Sequence, residues 1–390
     1  MSGISSACIR ISAFIAVLTP CAIAAADTFT VNDRVISDPS ISVVDQEVDQ
    51  GGGRVVWQDL AGNLWLAWLD PDTGAMKPRS GQGMLLDTGL ASMTQTLNGP
   101  EWAFGNGEAN VVYSKIVNGQ NHLGAARVNY SIGNWQSTIL PASLSEMSVL
   151  GSPITNTSDP ARITYFKYDK QGLRHLAWRN VYDPSSEMIL TDTTTTSARW
   201  VEGEPAMVTT VSSGGYHQVA YIDATTGALT QLTFDPTDKF LPVMWWAPEY
   251  GEYLLQTMVN TTDIGIYRNI GGVWTMINML HAPTSKPYVH SPEPFTNNGQ
   301  SYIFFVTADQ LGQGGSFFGT PVGPTEIWIA GIDSQNPFYR RVDDPTQVVN
   351  KIDPEVFNTT KGPQIQFTEH DYVPNRFLLH SADSGLPPNP

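Results

Sequence analysis

Five glutamates recur at the start of short apolar runs, four of them beside a proline. They are Glu47 in Gln46-Glu47-Val48, Glu101 in Gly99-Pro100-Glu101-Trp102, Glu204 in Glu204-Pro205-Ala206, Glu293 in Ser291-Pro292-Glu293-Pro294 and Glu355 in Asp353-Pro354-Glu355. Carboxylates gathered at one place repel one another, raise some of their own pKa values, and attract a hard cation or a polyhydroxylated ligand. One chemistry this permits is a carboxylate pair for glycosidic cleavage, with Glu204 and Glu293 as the leading groups. Another is a Ca²⁺ site in which Glu101 and Glu355 are ligands. A structural reading stands beside both: a repeated carboxylate accepts hydrogen bonds from backbone amides in a repeated turn. Repetition favours this last reading, because a catalytic group need occur only once.

Other side chains add to these options. His290, with Lys286 and Tyr288, lies just before a unit start, where a histidine base and a cationic electrophile would suit a uronate lyase. The remaining histidines show no metal-ligand spacing. In Trp245-Trp246 adjacent strand residues face opposite ways, so one ring packs while the other can stack on a sugar. Tyr288 completes the candidate ligand-binding set. Glu202-Gly203-Glu204-Pro205, followed by Gly214-Gly215-Tyr216-His217, is similar to the general-acid segment of five-bladed arabinanase and xylosidase propellers, although Glu204 interrupts that motif. No Gly-x-Ser-x-Gly elbow, Walker loop or dinucleotide fingerprint is present.

The elements that must position these residues emerge from self-similarity along the chain. A unit opens near Pro or Glu, runs into a short apolar strand, turns at Gly or Asn, and continues through further aromatic strands. Seven candidates start at Glu47, Pro100, Pro153, Pro205, Pro242, Pro292 and Pro354. The interval of 37 residues from Pro205 to Pro242 stands out as short, and leaves room for six units. Each strand covers four to six residues bounded by Gly, Asn, Asp or Pro, and sustained helical periodicity is missing. The pattern predicts an all-β chain folded as a single β-propeller of about seven four-stranded blades, in preference to two β-sandwiches, which do not repeat a four-strand unit. Ring closure would use Thr28-Phe29-Thr30-Val31 beside Arg376-Phe377-Leu378-Leu379-His380. Gln231-Leu232-Thr233-Phe234-Asp235-Pro236 followed by Leu241-Pro242-Val243-Met244-Trp245-Trp246-Ala247-Pro248-Glu249-Tyr250-Gly251 resembles the blade junction of TolB-type (WD40-like) propeller repeats. That resemblance implies the architecture, and such repeats serve scaffolds, peptidase propellers and glycan-degrading enzymes alike.

Composition bounds the partners. Arg10 followed by Ile11–Leu18 and by Ala24-Ala25-Ala26 reads as an export signal, residues 1–26, leaving the propeller in 27–390. Both cysteines, Cys8 and Cys21, fall in that leader, so the mature chain would lack thiols, as suits a periplasmic or extracellular place. No later run is long and apolar enough to span a membrane. A net charge of −16 and the want of a basic cluster exclude a nucleic-acid role. The sequons at Asn129, Asn156, Asn260 and Asn358 are read as an Asn/Thr-rich surface. The functional expectation is an exported, monomeric propeller that binds an envelope or extracellular protein or a glycan through its channel-face loops. The alternative is a carbohydrate-active hydrolase or lyase working in the funnel.

Overall fold

The computed structural model describes residues 32–390 except 78–80, 82, 93–97, 106, 130, 132–133, 143–144, 157–160, 191–197, 313–319 and 374. The proposed leader, Thr28–Val31 and most of the Gly-rich insertion after Gly312 therefore lie outside the described residues. The rest is all-β: seven antiparallel sheets, and no helix among the described residues. The inner strands of blades 1 to 7 are Asp45–Asp49, Glu101–Gly105, Ser148–Thr155, Arg199–Trp200, Lys239–Ala247, Tyr288–Asn297 and Asn350–Thr359. Each is followed outward by three more strands in sequence order, except where the ring closes. In blade 1 the outer edge is shared by Met76–Lys77 and Met84–Thr88, both paired with Asn63–Leu69.

The apolar residues form seven clusters, and each one joins a pair of neighbouring blades. Val56, Leu66, Trp102 and Val111 join blades 1 and 2, and Phe240, Trp245, Val289 and Phe305 join blades 5 and 6. Ile36, Trp57, Phe357 and Leu379 join blades 7 and 1. Stacking buries both faces of the middle strands, which is why Val55-Val56-Trp57 and Ile303-Phe304-Phe305-Val306 are continuous apolar runs. Outer strands meet water and lose that character, as in Asn134–Ile139, which is mostly exposed. Trp57, Trp102, Trp178 and Trp328 are buried between blades, while Trp68 is 44% exposed.

The prolines that mark the units have a shared structural cause. In blades 5, 6 and 7 the inner strand bulges by one residue, between Phe240 and Val243, His290 and Glu293, and Ile352 and Glu355. The residue before each proline is left-handed: Leu241 at φ 46°, Ser291 at 43° and Asp353 at 56°. Proline has no N–H to give the ladder, so a bulge is where a strand tolerates it. Carbonyls at the bulges are taken up by a neighbouring blade, the following one for blade 7 and the preceding one for blade 6. Gln46 Nε2 donates to Asp353 O at 2.5 Å, and Gln256 Nε2 donates to Pro292 O at 2.7 Å.

Blade 4 departs from the sequence expectation. Its inner strand is Arg199–Trp200, while Glu204 and Pro205 lie in the turn that leads to the second strand, Ala206–Ser213. His217–Ile222 belongs to the third strand, Tyr216–Asp223, and Leu229–Gln231 is the fourth. The interval lengthens once the inner strands are compared: 37 residues from Pro205 to Pro242 become 44 from Arg199 to Val243, close to the 45 from Ile154 to Arg199. Seven blades follow, and the fourth is complete with four strands.

Closure uses Arg34–Val35, a few residues after the expected segment, paired with Ser381 and His380 on the outer side of blade 7. Asp33 locks the seam: one carboxylate oxygen bonds His380 Nδ1 at 2.7 Å and the other accepts from the Asp344 amide at 3.0 Å, with both Asp33 and His380 side chains almost fully buried. Residues beyond the last strand strap blade 6, where Asn297 Nδ2 donates to Pro387 O at 3.0 Å and Asn298 N donates to Asn389 Oδ1 at 2.7 Å. Removing one partner of a buried, hydrogen-bonded pair costs about 3 kcal/mol, so Asp33→Ala should lower the urea midpoint with an unchanged m-value. An unchanged midpoint would show that the seam does not limit stability.

Candidate functional site

One position on each inner strand points at the ring axis: Glu47, Glu101, Ile154, Arg199, Val243, Glu293 and Glu355 all line a central cavity of about 220 Å³. Their equivalence is fixed by hydrogen bonds as well as by lining. Trp102 Nε1 donates to Glu47 O at 3.0 Å and Trp200 Nε1 donates to Ile154 O at 3.2 Å, so the tryptophan after a ring residue caps the ring residue of the preceding blade. Asp45, Asn98 and Asp353 complete the polar wall. Among the described residues six carboxyl groups therefore share the cavity with a single cation, Arg199, whose Nη1 pairs with Glu293 Oε1 at 2.5 Å. Asn98 spans two blades, donating to the Glu101 carboxyl and to Pro153 O.

Electrostatics follow from that count. Each of the six residues is half-buried. Burial pushes Glu101 up to about 7 against the opposing pull of Asn98, and pushes Asp353 up to about 7 with repulsion from Glu293 added. Asp45, Glu47 and Glu355 are also raised well above the ordinary carboxylate range, first by burial and then by their acidic neighbours. Burial opposes the charge on Arg199, but Glu293, Glu101 and Glu355 outweigh it and raise its pKa. Carboxyls with such raised pKa values retain protons toward neutral pH and can then donate as well as accept hydrogen bonds.

Glu101, Glu293 and Glu355, together with Glu47 and Asp353, meet in the cavity. Glu204 does not: it is exposed in the first turn of blade 4. The reason is the strand shift in that blade, which puts Arg199 where the repeat suggested a glutamate. His290 bonds Ser291 Oγ at 2.8 Å, and neither it nor Tyr288 lines the cavity. Lys286 is committed to Asp309 and to Pro324 O. Trp245 is 6% exposed and donates to Ser301 Oγ at 3.1 Å, whereas Trp246 is 49% exposed. Among the described residues no three His, Cys, Asp or Glu side chains stand close enough together to hold a metal ion. Arg199 and Asp45 escaped the sequence reading. Arg199-Trp200 echoes Glu101-Trp102, and that tryptophan was the available signal.

The fold and site together define a seven-bladed β-propeller with an acidic central cavity. Oligogalacturonate lyase from Vibrio parahaemolyticus superimposes with a TM-score of 0.55 over 92% of this chain and 98% of its own, at 11% identity. A second oligogalacturonate lyase, in complex with manganese, gives 0.53 over 90% and 92%, also at 11% identity. The WD40 domain of SCAP from fission yeast gives 0.52 over 91% and 98%, at 10% identity. A TolB from Agrobacterium tumefaciens is matched over 62% of this chain and 81% of its own, with a TM-score of 0.38 and 13% identity. The first three likenesses, each spanning at least 90% of this chain, establish the propeller architecture. No protein-family model and no curated relative matches the sequence.

Raised carboxyl pKa values make stability depend on pH. Glu101 titrates near 7 in the folded chain against about 4.5 when unfolded, so the folded state holds its proton more tightly. The stabilisation this supplies is fully present below pH 4.5 or so and is lost as pH rises through 7. Glu101→Gln removes the dependence. Its stability relative to the unsubstituted chain should therefore rise between pH 5 and pH 8, by about 2 kcal/mol. A difference that is flat across that range would refute the raised pKa.

Proposed function

We propose that this chain is an exported, non-catalytic propeller that binds a glycan or a protein segment through the loops around its channel, presenting the carboxyl ring to it. The observation that carries this reading is the composition of the cavity wall, six carboxyl groups and one guanidinium already bound to Glu293. A wall that both donates and accepts suits hydroxyl or ammonium groups, and its negative charge opposes carboxylates and phosphates. Oligogalacturonate is itself a polyanion, so the fold shared with the lyases is a poor guide to the ligand here.

One observation favours a second reading, a glycoside hydrolase. Glu101 is held protonated to about pH 7, as a general acid must be, while Glu293, the second carboxyl, is oriented by its pair with Arg199 at 2.5 Å. Calorimetric titration with neutral, amino-substituted and acidic oligosaccharides, with and without Ca²⁺, separates these readings when combined with a reducing-end assay. Binding of neutral or amino sugars without turnover, weakened about tenfold in Glu355→Gln, is the expected result. Turnover abolished by Glu101→Gln would replace it with the hydrolase, and binding of acidic sugars alone would refute both.

A further inference from the structure

The opposite strand ends of blades 4 and 5 carry side chains that the channel does not use. Trp246 lies three residues beyond the ring position Val243, on the side of its strand that faces blade 4, and is half exposed. The Tyr253 ring stands beside it, centroids 5.4 Å apart and planes at 81°. The Tyr253 hydroxyl donates to Glu202 O at 2.8 Å, so the first turn of blade 4 fixes the aromatic pair of blade 5. Gly203, at φ 78°, lets that turn form, and a Cβ there would lie 3.4 Å from the Tyr253 hydroxyl. Glu202 and Glu204 are exposed, and neither makes an ion pair among the described residues. Tyr221 and Tyr253 both feel the Glu204 charge, which adds to burial in raising their pKa values.

We propose that Trp246, Tyr253, Glu202 and Glu204 form a surface platform for a neutral pyranose oligosaccharide, independent of the channel. An indole face presents a flat apolar surface to the C–H face of a sugar ring, and its edge is held here by a second aromatic ring. Carboxylates without a cation are strong acceptors for sugar hydroxyls. Two unneutralised charges at the rim also exclude uronates and sulfated sugars, since like charges would be brought together without compensation. A neutral sugar satisfies the acceptors and the aromatic face together.

Titration of the ¹⁵N-labelled full chain with neutral and acidic oligosaccharides, followed by indole N–H resonances and by calorimetry, tests this. The Trp246 resonance is assigned by its loss in Trp246→Ala. Neutral sugars should shift that resonance, and affinity should fall about tenfold in Trp246→Ala and several-fold in Glu204→Gln, with Trp246→Phe keeping part of it. Glu101→Gln, in the channel wall, should leave the sugar-induced shift of the Trp246 resonance in place, which separates the platform from the channel. No shift with any neutral sugar, a shift only with acidic ones, or equal affinity in Trp246→Ala would overturn the proposal.

Discussion

No blade of this protein has a core of its own. A four-stranded sheet buries its two faces only by lying between two others, so every apolar cluster is an interface, and stability is a property of the closed circle. Open ends would leave two broad apolar sheets in water. The seam at Asp33, Arg34–Val35 and His380 is therefore the condition on which the other six interfaces depend. The same geometry accounts for the sequence, with unbroken apolar middle strands and polar outer ones.

Closure also creates the cavity. Seven inner strands cannot meet at a point, and whatever side chain occupies the ring position must face its counterparts from the other blades. Here those side chains are mostly acidic, and their mutual repulsion is met by retaining protons and by the lone guanidinium of Arg199. Such an arrangement works against stability, since burying carboxyl groups of like charge is unfavourable. A purely structural turn device would not require the acids to share a cavity. Their convergence therefore weighs against the repeated-turn explanation, although Glu204, which sits in a turn and stays exposed, conforms to it.

The blade pattern was legible because its physical causes are local. Proline marks a bulge wherever Leu241, Ser291 or Asp353 precedes it, and the residue after it turns to the axis. Blade 4 misled because a Glu-Pro pair in its first turn imitates that signal, while its inner strand is only two residues long. Arg199 was hidden for the same reason. The position of Trp246 was accessible only in part: alternation says that it and Trp245 diverge, but it is packing against blade 6, far off in sequence, that buries Trp245. Electrostatic coupling around the ring was likewise beyond a linear reading, since Glu47 and Glu355 meet only after closure. Histidines proved mostly to be tied to nearby acids, as His175 is to Asp169 and His217 to Asp238.

The seam makes the molecule a check on its own completeness. Asp33 and His380 are 347 residues apart, yet neither has its partner until blade 7 is built. A chain halted by premature termination would present the unpaired edge of whichever blade it reached, a template for misassembly and a flag for proteolysis. Only a full-length polypeptide can hide that edge, so translation errors that shorten the product are exposed by the architecture before any ligand is encountered.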